Sequence, residues 1–216
     1  MTSKARRNLL KMLAAAPFAG GLMMQSFAQD SKPTQKVKIS AREKIRLRYF
    51  PNFVLTTHEG KKVRFYDDLV KDKIVVINWM YANCQGVCMP ITMNLMKVQK
   101  LLGDRVGRDI FFYSITVKPE EDTPKALKRY AKMHRAGPGW LFLTGDPKEL
   151  EVLRRKLGFV DPNPQVDADK ARHTGMLRFG NEPLTMWAAC PAQANAKYVA
   201  QTILFVDGPK PPKKVI

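Results

Sequence analysis

The chain has 216 residues, 45% hydrophobic and 26% charged, with a net charge of +18 and three cysteines. That length supports one domain with a substantial core, and the balance excludes a collagen-like, low-complexity or disordered body. Three cysteines are too few, and odd in number, for a disulfide scaffold. The Lys and Arg residues are scattered, without an aromatic-interleaved stripe or a nucleic-acid motif, which argues against nucleic acid and leaves anionic lipid or an acidic protein to meet the basic surface.

The first 30 residues, "MTSKARRNLLKMLAAAPFAGGLMMQSFAQD", begin basic, run uncharged from Met12 to Ala28, and reach the small–any–small triplet Ser26-Phe27-Ala28. Residues 1–28 are therefore expected to be a signal peptide, cleaved after Ala28. Arg6-Arg7, followed by Asn8-Leu9-Leu10-Lys11, gives it a twin-arginine character, with an ordinary secretory signal as the rival. The uncharged stretch is interrupted by Pro17 and stands at the short limit for a membrane span. A periplasmic or otherwise exported location follows. There, thiols are oxidised unless something keeps them reduced or metal-bound.

Residues 29–48 read as a linker or arm, 49–206 as the folded domain, and 207–216 as a basic, Pro-rich tail. "FVLTTHEGKKVRFYDD" alternates about His58-Glu59-Gly60, predicting a hairpin. "KIVVINWMYA" (73–82) and "IFFYSITV" (110–117) are continuous apolar runs, as in strands buried on both faces. Between them Ile91, Leu95, Val98, Leu101 and Leu102 recur at helical spacing, and Gly103 stops the helix. Asp122 or Thr123 can cap a second helix that has Pro124 in its first position. "WLFLTG" (140–145) predicts a strand and "DPKELEVLRRKLG" a helix ended by Gly158. Residues 160–172 read as a loop, and "HTGMLRFGNEPLTMW" as two strands turning at Gly180-Asn181. A last helix is expected over "AQANAKYVAQTILF", with Cys190 opening it. The alternation of strands and helices indicates one α/β domain.

Cys84 and Cys88 fall where the first buried strand turns into a helix. A thiol at a helix N-terminus is biased towards thiolate, which is both the nucleophile and the soft metal ligand. Residues four apart on one helix stand about 5–6 Å apart at Cβ, whereas a disulfide needs about 3.5–4.5 Å. An unstrained bridge thus requires Cys84 in the loop and only Cys88 on the helix. The pair can be a structural disulfide, a redox pair, or part of a metal site. Of three histidines, His58 reads as a turn residue and His134 as a helix-end residue, while His173 follows the long loop and starts a strand that can lie beside the cysteines. Two thiolates and an imidazole suit Cu(I), and are acceptable to Cu(II) or Zn(II). Met93 and Met96 read as core, and Met89 as a candidate weak ligand. Cys190 is either a buried small hydrophobe or a third exchangeable thiol.

"NWMYANCQGVCMP", "VKPEEDTPKALKRYAK", "WLFLTG" and the later His173 together resemble the Sco/SenC family over about residues 50–205. The resemblance implies a thioredoxin-like α/β fold, a central mixed sheet with helices on both faces. It also implies copper as the bound ion, with Cys84, Cys88 and His173 as ligands, and a copper-receiving oxidase subunit or its assembly factors as partner. Three positions depart from the family pattern. Lys118 stands where the family has Asp before Pro119, Arg172 replaces the Asp preceding the histidine, and Met89 displaces Pro90 by one. Two cations near the thiols would favour thiolate and oppose a bound cation.

The expected function is that of an exported copper-binding thiol protein, a copper chaperone or thiol donor for assembly of a respiratory oxidase copper site. A carrier is favoured over an enzyme. The rival is a periplasmic thiol–disulfide reductase without stoichiometric copper, in which Cys84 and Cys88 form the redox-active pair. A peroxide-reducing enzyme would want a Thr or Ser and an Arg beside the attacking thiol, and no such motif precedes Cys84.

Overall fold

A computed structural model describes residues 39–84, 86–169 and 175–208. In chain order the elements are α1 (Ala41–Tyr49), β1 (Val54–Thr57), β2 (Lys62–Arg64), a π turn (Phe65–Val70), β3 (Ile74–Met80), α2 (Cys88–Leu102), β4 (Ile110–Thr116) and α3 (Pro124–Met133). There follow β5 (Trp140–Thr144), α4 (Pro147–Lys156), α5 (Pro164–Ala168), β6 (Met176–Asn181), β7 (Met186–Pro191) and α6 (Ala196–Phe205). The strands form one mixed sheet in the order β2-β1-β5-β4-β3-β6-β7. Its parallel centre is β3-β4-β5, with Ile74 opposite Ile110 and Met80 opposite Thr116, and the flanking strands pair antiparallel.

The two apolar runs became the central strands because both of their faces are covered. Every residue of β3 is buried. On one face Trp79 meets Phe159, just beyond α4, edge to face at 6.2 Å. On the other, Phe142 of β5 meets Tyr130 of α3 at 5.6 Å, and the Tyr130 hydroxyl pairs with Thr92 of α2. Helix α2 buries Ile91, Leu95, Val98 and Leu102, one stripe at helical spacing. Leu101 lies off that stripe and is exposed, and so is Met93, contrary to its expected core position. Thr123 caps α3 through the Ala126 N–H, with Pro124 in the first turn, as read from the sequence.

Four differences from the sequence reading have physical causes. The segment read as an arm carries α1, capped by Ser40 and fastened by Arg42 to Glu182 and Asp72. The loop after Gly158 contains a short helix, α5, because Asn163 caps it and Asp167 turns back onto Arg154. The β6–β7 turn lies at residues 182–185 instead of Gly180-Asn181. Gly180 stays in the strand because Trp187 covers it: a Cβ there would stand 2.3 Å from Trp187 Cε3. Cys190 does not open a helix. It lies in β7 opposite Leu177, fully buried, and α6 starts later, where Asn195 caps it. Among the described residues no helix is long and apolar enough to cross a membrane.

Candidate metal and redox site

The site is built at the carboxyl end of β3. The strand leaves its last ladder bond at Met80, whose carbonyl accepts from the Val117 N–H at 2.9 Å. Tyr81 stays buried, and the next amide is taken by a side chain. The Ala82 N–H donates to both carboxylate oxygens of Asp122, at 3.2 and 3.1 Å. Thr116 Oγ1 donates to the same carboxylate. Asp122 therefore serves as an anchor under the cysteine loop, not as the cap of α3. Burial pushes its carboxyl above the usual range, against the pull of those two donors.

Cys84 lies in the loop and is half-buried, whereas Cys88 is the first residue of α2 and is buried. The pair thus has the loop-plus-helix arrangement that an unstrained bridge requires. Val87 caps α2 without a side-chain hydrogen bond, and the Cys88 N–H in its first turn is given to the Cys84 sulfur. Burial opposes a thiolate at Cys84. The Cys88 side chain, the N–H groups of Cys88 and Gly86 (the latter at 3.4 Å) and the Tyr81 hydroxyl outweigh it and hold the thiol below its ordinary value. Cys88 is driven the other way, first by burial and then by the neighbouring Cys84 sulfur. The hydrogen bond to Cys84, followed by burial, raises Tyr81 to about 12, so its hydroxyl remains a donor at neutral pH.

Lys118 sits beside this group without touching the sulfurs. Its ammonium lies 4.5 Å from the Tyr81 ring centroid and 3.2 Å from Glu121 Oε1. The cation expected near the thiols thus lies over the ring of Tyr81. Met89 is exposed next to Cys88. Cys190 is held apart in β7, and burial raises its thiol.

Of the histidines, His58 is more than a solvated turn residue. Its Nδ1 accepts from the Phe142 N–H at 3.2 Å and its own N–H donates to the Phe142 carbonyl, extending the β1–β5 edge. Burial holds it below its ordinary value. His134 ends α3 and packs on Tyr130 at 4.3 Å. His173 and Arg172 lie outside the described residues. Among the described residues no three His, Cys, Asp or Glu side chains are gathered as a metal site. Tyr81 and Asp122 are the site residues that sequence reasoning missed. Tyr81 looked like the end of an apolar run, and Asp122 like a cap.

Tyr81→Phe removes one donor from Cys84 and leaves the packing of the ring. The expected result is several-fold slower alkylation of Cys84 by iodoacetamide near neutral pH, with far-ultraviolet circular dichroism unchanged. An unaltered rate would show that the hydroxyl does not bear on the thiolate.

A sequence model of the SCO1/SenC family matches residues 42–204. The chain is 31% identical over 106 residues to the SCO1 protein homolog of Bacillus subtilis, covering 48% of this chain and 53% of that protein. It spans about half the length of the curated relatives it matches. Bradyrhizobium japonicum ScoI, solved with copper bound, superposes with a TM-score of 0.58 at 24% identity, over 71% of this chain and 96% of that one. BsSco, a member of the Sco family of cytochrome c oxidase assembly proteins in which a disulfide switch was identified, gives 0.59 at 22% identity, over 73% and 92%. The fold is the thioredoxin-like α/β fold expected from the sequence.

Proposed function

The chain belongs to the SCO1/SenC family, and from that premise we propose that it is an exported thiol protein that carries copper to a respiratory oxidase. The ion is held as cargo by Cys84, Cys88 and His173 and passed by ligand exchange to a copper-receiving oxidase subunit or its assembly factors. Residues 1–28 act as the twin-arginine signal, 29–48 as the arm that continues into α1, and 207–216 as a basic tail, with the domain between them. Anionic lipid is a further surface for the basic face.

The observation that carries this reading is the asymmetric cysteine pair at the mouth of α2. One thiol is held towards thiolate by four donors and the other is buried behind it. Soft sulfur donors of this kind fit Cu(I). The chain around His173 supports the third ligand. Before it, Asp169 lies close enough for its charge to act on Tyr81. After it, Gly175 stands against Ile91, one turn along α2 from Cys88, and its carbonyl accepts from the Ala192 N–H at 2.8 Å. The copper-bound ScoI neighbour agrees in fold with such a carrier.

Reduced protein titrated with Cu(I) and Cu(II) is expected to take one copper per chain, with thiolate-to-copper absorption. His173→Ala should weaken binding by on the order of a hundredfold or more, beyond the loss of a supporting group, and leave the fold intact. His58→Ala and His134→Ala should keep the affinity, since both rings are engaged elsewhere. Equal losses in all three variants would overturn the ligand assignment.

The same asymmetry favours a second reading, thiol–disulfide reduction. The Cys84 thiolate would attack a partner disulfide and release one partner thiolate. Cys88, losing its proton, would then displace the second, leaving Cys84–Cys88 oxidised and the partner reduced. Copper content separates the readings, because the carrier alone must hold the ion stoichiometrically.

A further inference from the structure

On the sheet face away from α3 lies a cavity of about 400 Å³, within the size range of small-molecule sites. Ile45, Phe50, Ile77, Leu157 and Trp187 give it apolar walls, and Lys156 and Arg178 also line it. None of its lining residues is acidic.

Arg178 is out of keeping with the other buried or half-buried arginines. Arg154 is paired with Glu151 and Asp167, Arg105 with Asp109 and Asp207, and Arg42 with Asp72 and Glu182. Among the described residues Arg178 has no carboxylate partner. It gives one Nη2 hydrogen bond to the Gly158 carbonyl at 2.6 Å, and its guanidinium lies over the Phe159 ring at 5.4 Å. Among the described residues its buried Nε has no hydrogen-bond acceptor, nor has the buried Trp187 Nε1. Burial lowers its pKa, as for a cation lacking compensation.

Both side chains are seated by glycines. A Cβ on Gly158 would stand 2.7 Å from Arg178 Nη2, and one on Gly180 would run into Trp187. Gly158 also holds φ +73°, which ends α4 and admits the guanidinium at the same point. Two N–H donors without acceptors, an uncompensated cation and apolar walls describe one class of guest.

We infer that this cavity binds an amphipathic carboxylate, its acid group accepting from Arg178 and its apolar body lying against Phe50, Ile77 and Trp187. The site shares no residue with the cysteine pair and stands independently of the proposed copper function.

Decanoate serves as the probe, with decanol as its neutral counterpart, titrated calorimetrically into the full chain and followed by tryptophan fluorescence. Saturable one-to-one binding of decanoate is expected, with decanol roughly tenfold weaker or more, the worth of a charge-assisted hydrogen bond. Arg178→Gln should bring decanoate down to the level of decanol and leave decanol unchanged. Absence of saturable binding, equal affinity for acid and alcohol, or retention of the preference in Arg178→Gln would each overturn the inference. The acid–alcohol comparison is made on the unaltered chain, so it decides the matter even if the variant does not fold.

Discussion

Arg154→Ala is expected to destabilise the domain by about 3–5 kcal/mol, because it strands a buried carboxylate. The Asp167 side chain is 4% exposed, and Arg154 grips it with two parallel bonds, Nη1 to Oδ1 at 2.7 Å and Nη2 to Oδ2 at 2.8 Å. The same guanidinium holds Glu151 and the Phe159 carbonyl. Arg155 reaches Asp167 from the solvent side, but it is more than half exposed and cannot replace the fork. The hydrogen bonds from Arg154 pull the Asp167 carboxyl far below the usual range. Its folded pKa is thus lower than its unfolded one, so this contribution is complete above about pH 4 and is lost as pH falls further. Urea unfolding of parent and variant at pH 7 and at pH 3 reads both effects, and the difference between the proteins should shrink at the lower pH. A loss under about 1 kcal/mol at pH 7 would mean that water already screens the pair.

The second large effect is on metal. With Cys84 and Cys88 as the proposed ligands, Cys84→Ser and Cys88→Ser are each expected to reduce Cu(I) affinity by on the order of a hundredfold or more, since loss of a direct ligand exceeds that of a supporting group. Competition against a coloured Cu(I) chelator measures this, and the thiolate-to-copper absorption should vanish in both variants. Cys190→Ser should bind like the parent, because that thiol is buried in β7, away from the pair. Equal weakening by Cys190→Ser would move the donor set away from the mouth of α2.

What the sequence disclosed depended on how local each determinant is. The strands at 73–82 and 110–117 could be read because burial on both faces demands an uninterrupted apolar run. Thr123-Pro124 could be read because a cap and its helix are neighbours in the chain. Cys84 and Cys88 were recognisable from their spacing and from the apolar run that precedes them. By contrast, α1 contains no buried residue and owes its place to Arg42 meeting Glu182, 140 residues away. The hydroxyl of Tyr81 and the carboxylate of Asp122 take their roles from the way β3 and β4 end side by side. Ala-Ala-Cys-Pro read as the start of a helix, yet pairing with β6 made it a strand. The cationic position Lys118, expected near the thiols, lies over the ring of Tyr81, whose hydroxyl bonds Cys84.

The attachment of α1 has a consequence for how the molecule breathes. A helix with no fully buried residue, held by ion pairs, by Ile45 on the core and by Arg46 over the Tyr66 ring, is expected to open at a lower free energy than the sheet. When Arg42 departs, Glu182, 4% exposed, keeps the Tyr66 hydroxyl and the Asp72 N–H but loses its counter-charge, and that loss resists the opening. The outer limb, Arg42 to Asp72, is exposed and weakens as added salt shortens the Debye length. Ile45 and Tyr49 of this helix form part of the wall over Trp187. Rising ionic strength is therefore expected to loosen only the outer limb of this latch, leaving the wall and the strands carrying the thiols shut.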